Sequence, residues 1–361
     1  MTQINDKPTT ELTASTDSSS NCSEQPAVDY PNTFEGPEKN LEIDFVPTIG
    51  HPEGLRALSR DQLDALCDAA KCTILSKVSN EYLDAYVLSE SSLFVYPHKL
   101  LMKTCGTTTL LKTLPLVMQY LHELEMSIEK VRYARKNFLQ PEEQHFPHTS
   151  FSAEVEYLND FFPQGVAHVL GPITGDHWYS YNWDAEIHGP GSPIHRADGM
   201  RKSEHTVHML MQDMHADVAA HFFKRDNGFD GEKMTEVSGI RGLVPNAIID
   251  SFAFDPCGYS MNSIENDVYT TIHITPESHC SYASFETNDK VGAYAPMVQN
   301  VLSVFHPAKM TLTMSILGEM TMKDHVFQKC QFKGYKRRGG WTQVHMDGDL
   351  ISLKANFVIV E

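Results

Sequence analysis

Four short stretches of this 361-residue chain carry side chains able to do chemistry. The first is Leu88-Ser89-Glu90-Ser91-Ser92, a polar knot between two apolar, strand-like runs. The second is Lys103-Thr104-Cys105-Gly106-Thr107-Thr108. Two more lie far downstream: Pro256-Cys257-Gly258-Tyr259-Ser260-Met261-Asn262 and Thr271-Ile272-His273-Ile274-Thr275-Pro276-Glu277. A serine hydroxyl can attack a carbonyl, an imidazole can take up a proton, and a thiol can return one. Each residue alone also has an ordinary structural role. The knot suits a turn, Ser260 a turn residue, His273 a satisfied core histidine, and Cys105 a small buried hydrophobe. Cys105 precedes Gly106 and a helix start, where a backbone dipole alters thiol acidity.

The elements that must position these residues can be read in outline. Residues 1 to about 30 are polar and read as a disordered tail. Ser59-Arg60-Asp61-Gln62 is a capping box for a helix that buries Leu63, Leu66, Cys67 and Ala70. Strands are expected at 72–78, 83–89, 92–96 and 99–104. Thr107 or Thr108 should cap a helix running to about Glu125 with a kink at Pro115, and Ser152 should start a third. Gly189-Pro190-Gly191-Ser192-Pro193 reads as a linker between similar halves. Beyond it a helix is expected from about Ser203, carrying Val207, Leu210, Met211 and Met214. Strands at 247–254 and 268–275 bracket a turn at Asp255–Ser260, and Tyr282 to Phe285 forms another. The clearest helix spans 290–306, stopped by Pro307, and three strands follow, the last from Leu350 to Val360.

Composition narrows the function classes. A hydrophobic content of 41% and a charged content of 21% describe a soluble globular chain with no membrane-spanning run. The net charge of −18 disfavours a nucleic-acid partner. The basic run Lys333 to Arg338 reads as a solvated strand end or hairpin. Seven cysteines, odd in number and without Cys-x-x-Cys spacing, argue against a disulfide framework or a zinc site and fit a reducing cytoplasm.

Together the motifs resemble those of the eukaryotic S-adenosylmethionine decarboxylases, over about Phe34 to Pro307. The resemblance implies an α+β fold, a four-layer αββα sandwich of two mainly antiparallel sheets flanked by helices. One domain would occupy 31–361, its halves divided near 184–202. It implies that the Glu90–Ser91 bond breaks, giving a β chain of 1–90 and an α chain of 91–361. Ser91 would become a pyruvoyl group that acts as electron sink, replacing pyridoxal phosphate, with no metal. Ser260 and His273 would serve processing, Cys105 would return a proton after CO2 loss, and Glu35 and Glu38 would be active-site acids. Phe34, Glu90, Phe254 and Glu277 would bind S-adenosylmethionine. A putrescine pocket would contain Glu42, Lys103, Arg132, Thr206, His208 and Glu286, with Glu204 nearby. Arg132 and His208 depart from the activated pattern, Arg132 being free to pair with Glu286 or Glu42, so weak or absent stimulation is expected. A homo-oligomer, a dimer of αβ units, is implied as well. The product would be the aminopropyl donor for spermidine and spermine. The competing functions are an inactive homologue that activates an active partner and, more remotely, a pyridoxal-phosphate decarboxylase.

Overall fold

In a computed structural model, residues 36–46, 52–189, 203–225, 228–279, 281–347 and 349–360 are described. The expected tail of residues 1–30, Phe34, Glu35 and the linker beyond Gly189 lie outside them.

The first half supplies β1 (Lys39–Val46), β2 (Ile74–Ser79), β3 (Asp84–Leu88), β4 (Ser91–Tyr96), β5 (Lys99–Thr104), β6 (Ser127–Lys136), β7 (Val166–Leu170) and β8 (Trp178–Asp184). The second supplies β9 (Glu204–Met214), β10 (Ile248–Ala253), β11 (Tyr259–Glu265), β12 (Val268–Thr275), β13 (Tyr282–Thr287), β14 (Pro307–Leu317), β15 (Tyr335–Met346) and β16 (Leu350–Ile359). They form two eight-stranded antiparallel sheets, ordered β2-β3-β4-β5-β1-β6-β8-β7 and β10-β11-β12-β13-β9-β14-β16-β15. Each strand of the second sheet takes the place of the strand eight earlier in the first, so the two halves share one topology.

Alternation along the strands sets the layers. In β1, Leu41, Ile43 and Phe45 join a core with Leu63 and Leu66 of α1 (Arg60–Ala70), Val117 of α2 (Leu114–Glu123) and Leu158 of α3 (Phe151–Phe161). A short α4 (Ala185–His188) ends this half. The second core joins Val207, Met209, Met261 and Ile272 to helices over their sheet. These are α5 (Ala216–Ala219), α6 (Gly231–Val237), α7 (Tyr294–Phe305) and α8 (Met322–Phe327), whose Val298, Val301 and Phe327 are buried there. Burying each such side chain is worth about 1.5–3 kcal/mol. The opposite sheet faces meet each other through two small apolar clusters. One joins Phe94 and Leu101 to Ile264 and Tyr269; the other joins Trp178 to Leu210, Tyr282 and Leu350. Between them the inter-sheet layer is polar and buried, with Glu38, Ser92, Lys103, His208, Asn262, Thr271, His273 and Glu286 all nearly inaccessible. The result is helices, sheet, sheet, helices, as the resemblance implied.

Several local expectations are corrected. The segment from Ser203 is strand β9, not a helix. It is central, with Met209 and Met211 in one core and Leu210 between the sheets, so burial on both faces mimicked a helical stripe. Ser260 belongs to β11 rather than to a turn. Pro115 occupies the first turn of α2, where its missing N–H costs nothing, and does not kink the helix. β1, β6, β7, β8 and β11 were not anticipated. Among the described residues no helix is long and apolar enough to cross a membrane.

Candidate active site and a buried ion-pair cluster

β3 and β4 form a hairpin in which Leu88 pairs with Ser91, leaving Ser89 and Glu90 as the two-residue turn. The turn is pinned by the Ser89 N–H, which donates to the Thr73 carbonyl at 2.8 Å, and by the Ser89 hydroxyl, which accepts from the Thr73 N–H at 3.1 Å. Ser91 follows with φ +127°, a conformation unfavourable for a side chain with Cβ and costing of order 1–3 kcal/mol. The strain sits at the Glu90–Ser91 peptide.

Register brings Cys105 to that peptide. β4 and β5 pair Ser91 with Thr104, so the next residue along each strand end, Glu90 and Cys105, also meet. The Cys105 N–H donates to the Glu90 carbonyl at 3.1 Å, and its Sγ lies 3.4 Å from the same oxygen and 3.7 Å from Glu90 Oε2. Burial, with Glu90 and Glu38 nearby, pushes the Cys105 thiol well up, so it holds its proton at neutral pH.

The opposing sheet supplies the base. β11 and β12 pair Ser260 with His273 and Asn262 with Thr271, which puts all four on the inter-sheet face. Ser260 Oγ lies 2.9 Å from His273 Nδ1. Nε2 faces three hydroxyls, those of Ser91 at 3.1 Å, Ser92 at 3.0 Å and Thr271 at 2.9 Å. Burial lowers the His273 pKa to about 4, the Glu38 carboxylate opposing the shift, so the ring is neutral at pH 7 and can accept a proton.

Glu90, Ser91, Cys105, Phe254, Ser260, His273 and Glu277 line one cavity of about 250 Å³. Glu277 Oε2 is buried there without a hydrogen-bond partner among the described residues. Gly36 also lines it, and a Cβ there would come 2.7 Å from the Tyr282 ring, so only glycine lets the segment lie on that tyrosine. Glu38 does not line the cavity. It is fully buried behind it, accepting from Tyr282 Oη at 2.8 Å and from Ser284 Oγ. Burial opposes its ionisation, but Lys103 and His208 hold the carboxyl well below its usual range. Sequence reasoning assigned no role to Ser92, Asn262 or Thr271. For Asn262 and Thr271, polar side chains alternating with Met261 and Ile272 were the available signal.

A second group gathers further along the same layer. Glu42, Arg132, Thr206, His208 and Glu286 surround a cavity of about 60 Å³. Glu286 is paired with Lys103 at 2.8 Å and His208 at 3.2 Å, and accepts from Tyr269 Oη at 2.8 Å. Glu42 and Arg132 are cross-strand partners in β1 and β6. Arg132 reaches Glu42 at 2.9 Å and Asp44 at 2.6 Å, while Lys99 reaches Glu42 at 2.8 Å and Glu204 at 2.6 Å. Of the two partners foreseen for Arg132, it takes Glu42 and not Glu286. The three carboxylates Glu42, Asp44 and Glu204 lie close enough to share a cation, but two cationic side chains already sit among them.

The comparisons fit this architecture. The family model described as adenosylmethionine decarboxylase matches residues 31–357. A Dictyostelium discoideum S-adenosylmethionine decarboxylase proenzyme is 44% identical over 293 residues, 78% of this chain and 74% of that protein. A Caenorhabditis elegans protein of the same name is 41% identical, covering 78% and 75%. The crystal structure of the Trypanosoma brucei AdoMetDC-delta26 monomer superposes with a TM-score of 0.55 at 26% identity, covering 74% of this chain and 99% of that one. A match of this length, on a fold with this topology, places the chain in the adenosylmethionine decarboxylase family.

Proposed function

We propose that the chain cleaves itself between Glu90 and Ser91 and then decarboxylates S-adenosylmethionine. The observation that carries this is the convergence on one strained peptide of a hydroxyl, a neutral imidazole and a backbone donor. The Ser91 hydroxyl attacks the Glu90 carbonyl carbon and passes its proton to His273 Nε2. The charge that develops on the Glu90 oxygen is held by the Cys105 N–H. The C–N bond breaks as the proton returns to nitrogen, leaving an ester between Glu90 and the Ser91 oxygen. His273, oriented by Ser260, then takes the Ser91 Cα proton, and the Cβ–O bond breaks to release the Glu90 carboxylate. The dehydroalanine left at position 91 becomes an imine, which water hydrolyses with loss of ammonia.

Position 91 suits the resulting pyruvoyl group, because it is almost inaccessible yet lines the cavity. That group supplies the sink for the electron pair left when CO2 departs. The chain's own residues do the rest. Cys105, still protonated at neutral pH, returns a proton to the substrate Cα. The unpartnered Glu277 oxygen takes ribose hydroxyls, and Phe254 offers a face to the adenine. Phe34 and Glu35 belong to the same proposal from sequence alone. So do assembly as a dimer of αβ units, a cytoplasmic location and a diamine pocket already filled by Arg132.

Mass measurement of the denatured protein tests the reading. Two chains divided at Glu90/Ser91 are expected, the larger with a blocked amino end. Only an intact chain after prolonged incubation would overturn it.

A further inference from the structure

The polar row that begins in the second sheet at Asn262, Thr271, Glu286 and His208 continues through Thr313 to Lys354 on β16. Lys354 has 2% of its surface exposed. Its ammonium donates to the Asp176 backbone carbonyl at 2.7 Å and to Asn356 Oδ1 at 3.0 Å, both uncharged acceptors. The nearby Asp176 carboxylate is taken by Lys136 at 2.6 Å. Among the described residues, no carboxylate lies within ion-pair distance of Lys354. A buried ammonium held only by neutral acceptors is costly. Burial accordingly lowers its pKa to about 8, with Lys136 adding to the shift against Asp176.

This lysine lines a recess of about 500 Å³, distinct from the two cavities above. Arg338 and Lys309 line it too. Lys309 is paired with Asp213 at 2.8 Å, whereas Arg338 is exposed and has no partner among the described residues. Three cations and one carboxylate, Asp176, therefore line the recess, in a chain whose net charge is −18. The backbone makes the room. β15 leaves the ladder with β16 between Arg338 and Thr342, and a Cβ at Gly339 or Gly340 would meet nothing within 4 Å. On the other wall Gly171, at φ +99°, lies so close that its Cβ would come 3.1 Å from the Lys354 nitrogen.

We propose that this recess binds a small dianionic oxyanion of the phosphate or sulfate type, with Lys354 as the buried anchor and Arg338 at the mouth. The anion supplies the missing counter-charge to an ammonium that the fold already holds in place, and the guanidinium adds a planar fork suited to such oxygens.

Calorimetric titration of the full chain with sodium sulfate, at ionic strength held constant with chloride, tests this. Sulfate stays dianionic across the working range, so any pH dependence belongs to the protein. Saturable binding at pH 7 is expected, weakened at least about tenfold in Lys354→Met and more modestly in Arg338→Gln. It should also weaken in the wild type as pH rises past about 8, where Lys354 loses its proton. Should Lys354→Met not fold, Arg338→Gln and the pH profile carry the decision. A parallel titration with glycerol phosphate separates a free ion from a phosphomonoester as the preferred form. Absence of saturable heat, or affinity unchanged in both variants and across pH, overturns the site.

Discussion

Ser91 and Cys105 meet the same carbonyl in different ways, and that difference separates their variants. Ser91→Ala removes the attacking hydroxyl and should leave a single uncleaved chain on denaturing gels. Cys105→Ala keeps the backbone N–H that donates to Glu90 at 3.1 Å, so cleavage should persist at a moderate rate. Its turnover should fall by about 10²–10⁴-fold, the usual worth of a positioned proton donor. A cleaved Cys105→Ala protein with normal turnover would remove that assignment. His273→Ala should slow ester formation, since water must then take the Ser91 hydroxyl proton that His273 Nε2 accepts at 3.1 Å, and should stop at the ester. With no base for the Cα proton the ester would persist, and hydroxylamine should split the chain at Glu90. These residues could be named as candidates because each sits in a contiguous motif, and the structure gathers them round one peptide. Thr271 and Ser92 lie in two of the same motifs and press on the same imidazole nitrogen, but no role could be read for them, since only the facing of strands from different sheets brings the two together.

At the scale of elements, strand alternation explains both what could be read and what was missed. Leu41, Ile43 and Phe45 alternate with Asn40, Glu42 and Asp44, a plain half-buried strand that was not anticipated from the sequence. β9 failed in the other direction, because a central strand buried on both faces carries no alternation to find. The pairing of Glu42 with Arg132 follows from register and places a guanidinium among the carboxylates that a diamine would need. A bound dication would have to join Lys99 and Arg132 among Glu42, Asp44 and Glu204, with only three carboxylates to share. Burial works against the Arg132 charge, but Glu42 and Asp44 more than offset it. Millimolar-scale putrescine should therefore raise turnover little or not at all, measured as CO2 release at neutral pH. In Arg132→Met one resident cation is gone, and stimulation should appear. A large saturable rise in the wild type would show that the pocket admits the diamine beside the arginine.

The whole molecule repeats one eight-strand topology and closes the two copies face to face, a relation no local pattern announces. Two histidines buried in different layers should make the fold sensitive to acid. His273 lies between the sheets, and His148 lies in the first helical layer, 2.7 Å from Glu154 and beside Tyr133. Burial lowers both histidines from 6.5 to about 4; for His148 the Glu154 carboxylate opposes the shift, and for His273 the Glu38 carboxylate does. In the unfolded chain each binds a proton near 6.5, whereas the folded protein resists until about 4. Unfolded molecules thus take up protons first, and the stability present above pH 6.5 is lost progressively down to about pH 4. By pH 5 the loss is on the order of 2 kcal/mol for each histidine. Glu38 and Glu286 are held ionised against their burial by Lys103, among other groups, so they add a further loss below the ordinary carboxylate range. Urea unfolding at pH 7, 6 and 5 should show a steady fall in stability. His148→Gln, outside the reaction site, should reduce that slope by about half between pH 6 and 5 while lowering stability at pH 7. An unchanged slope in His148→Gln would mean that His148 is already protonated in the folded chain, paired as an imidazolium with Glu154.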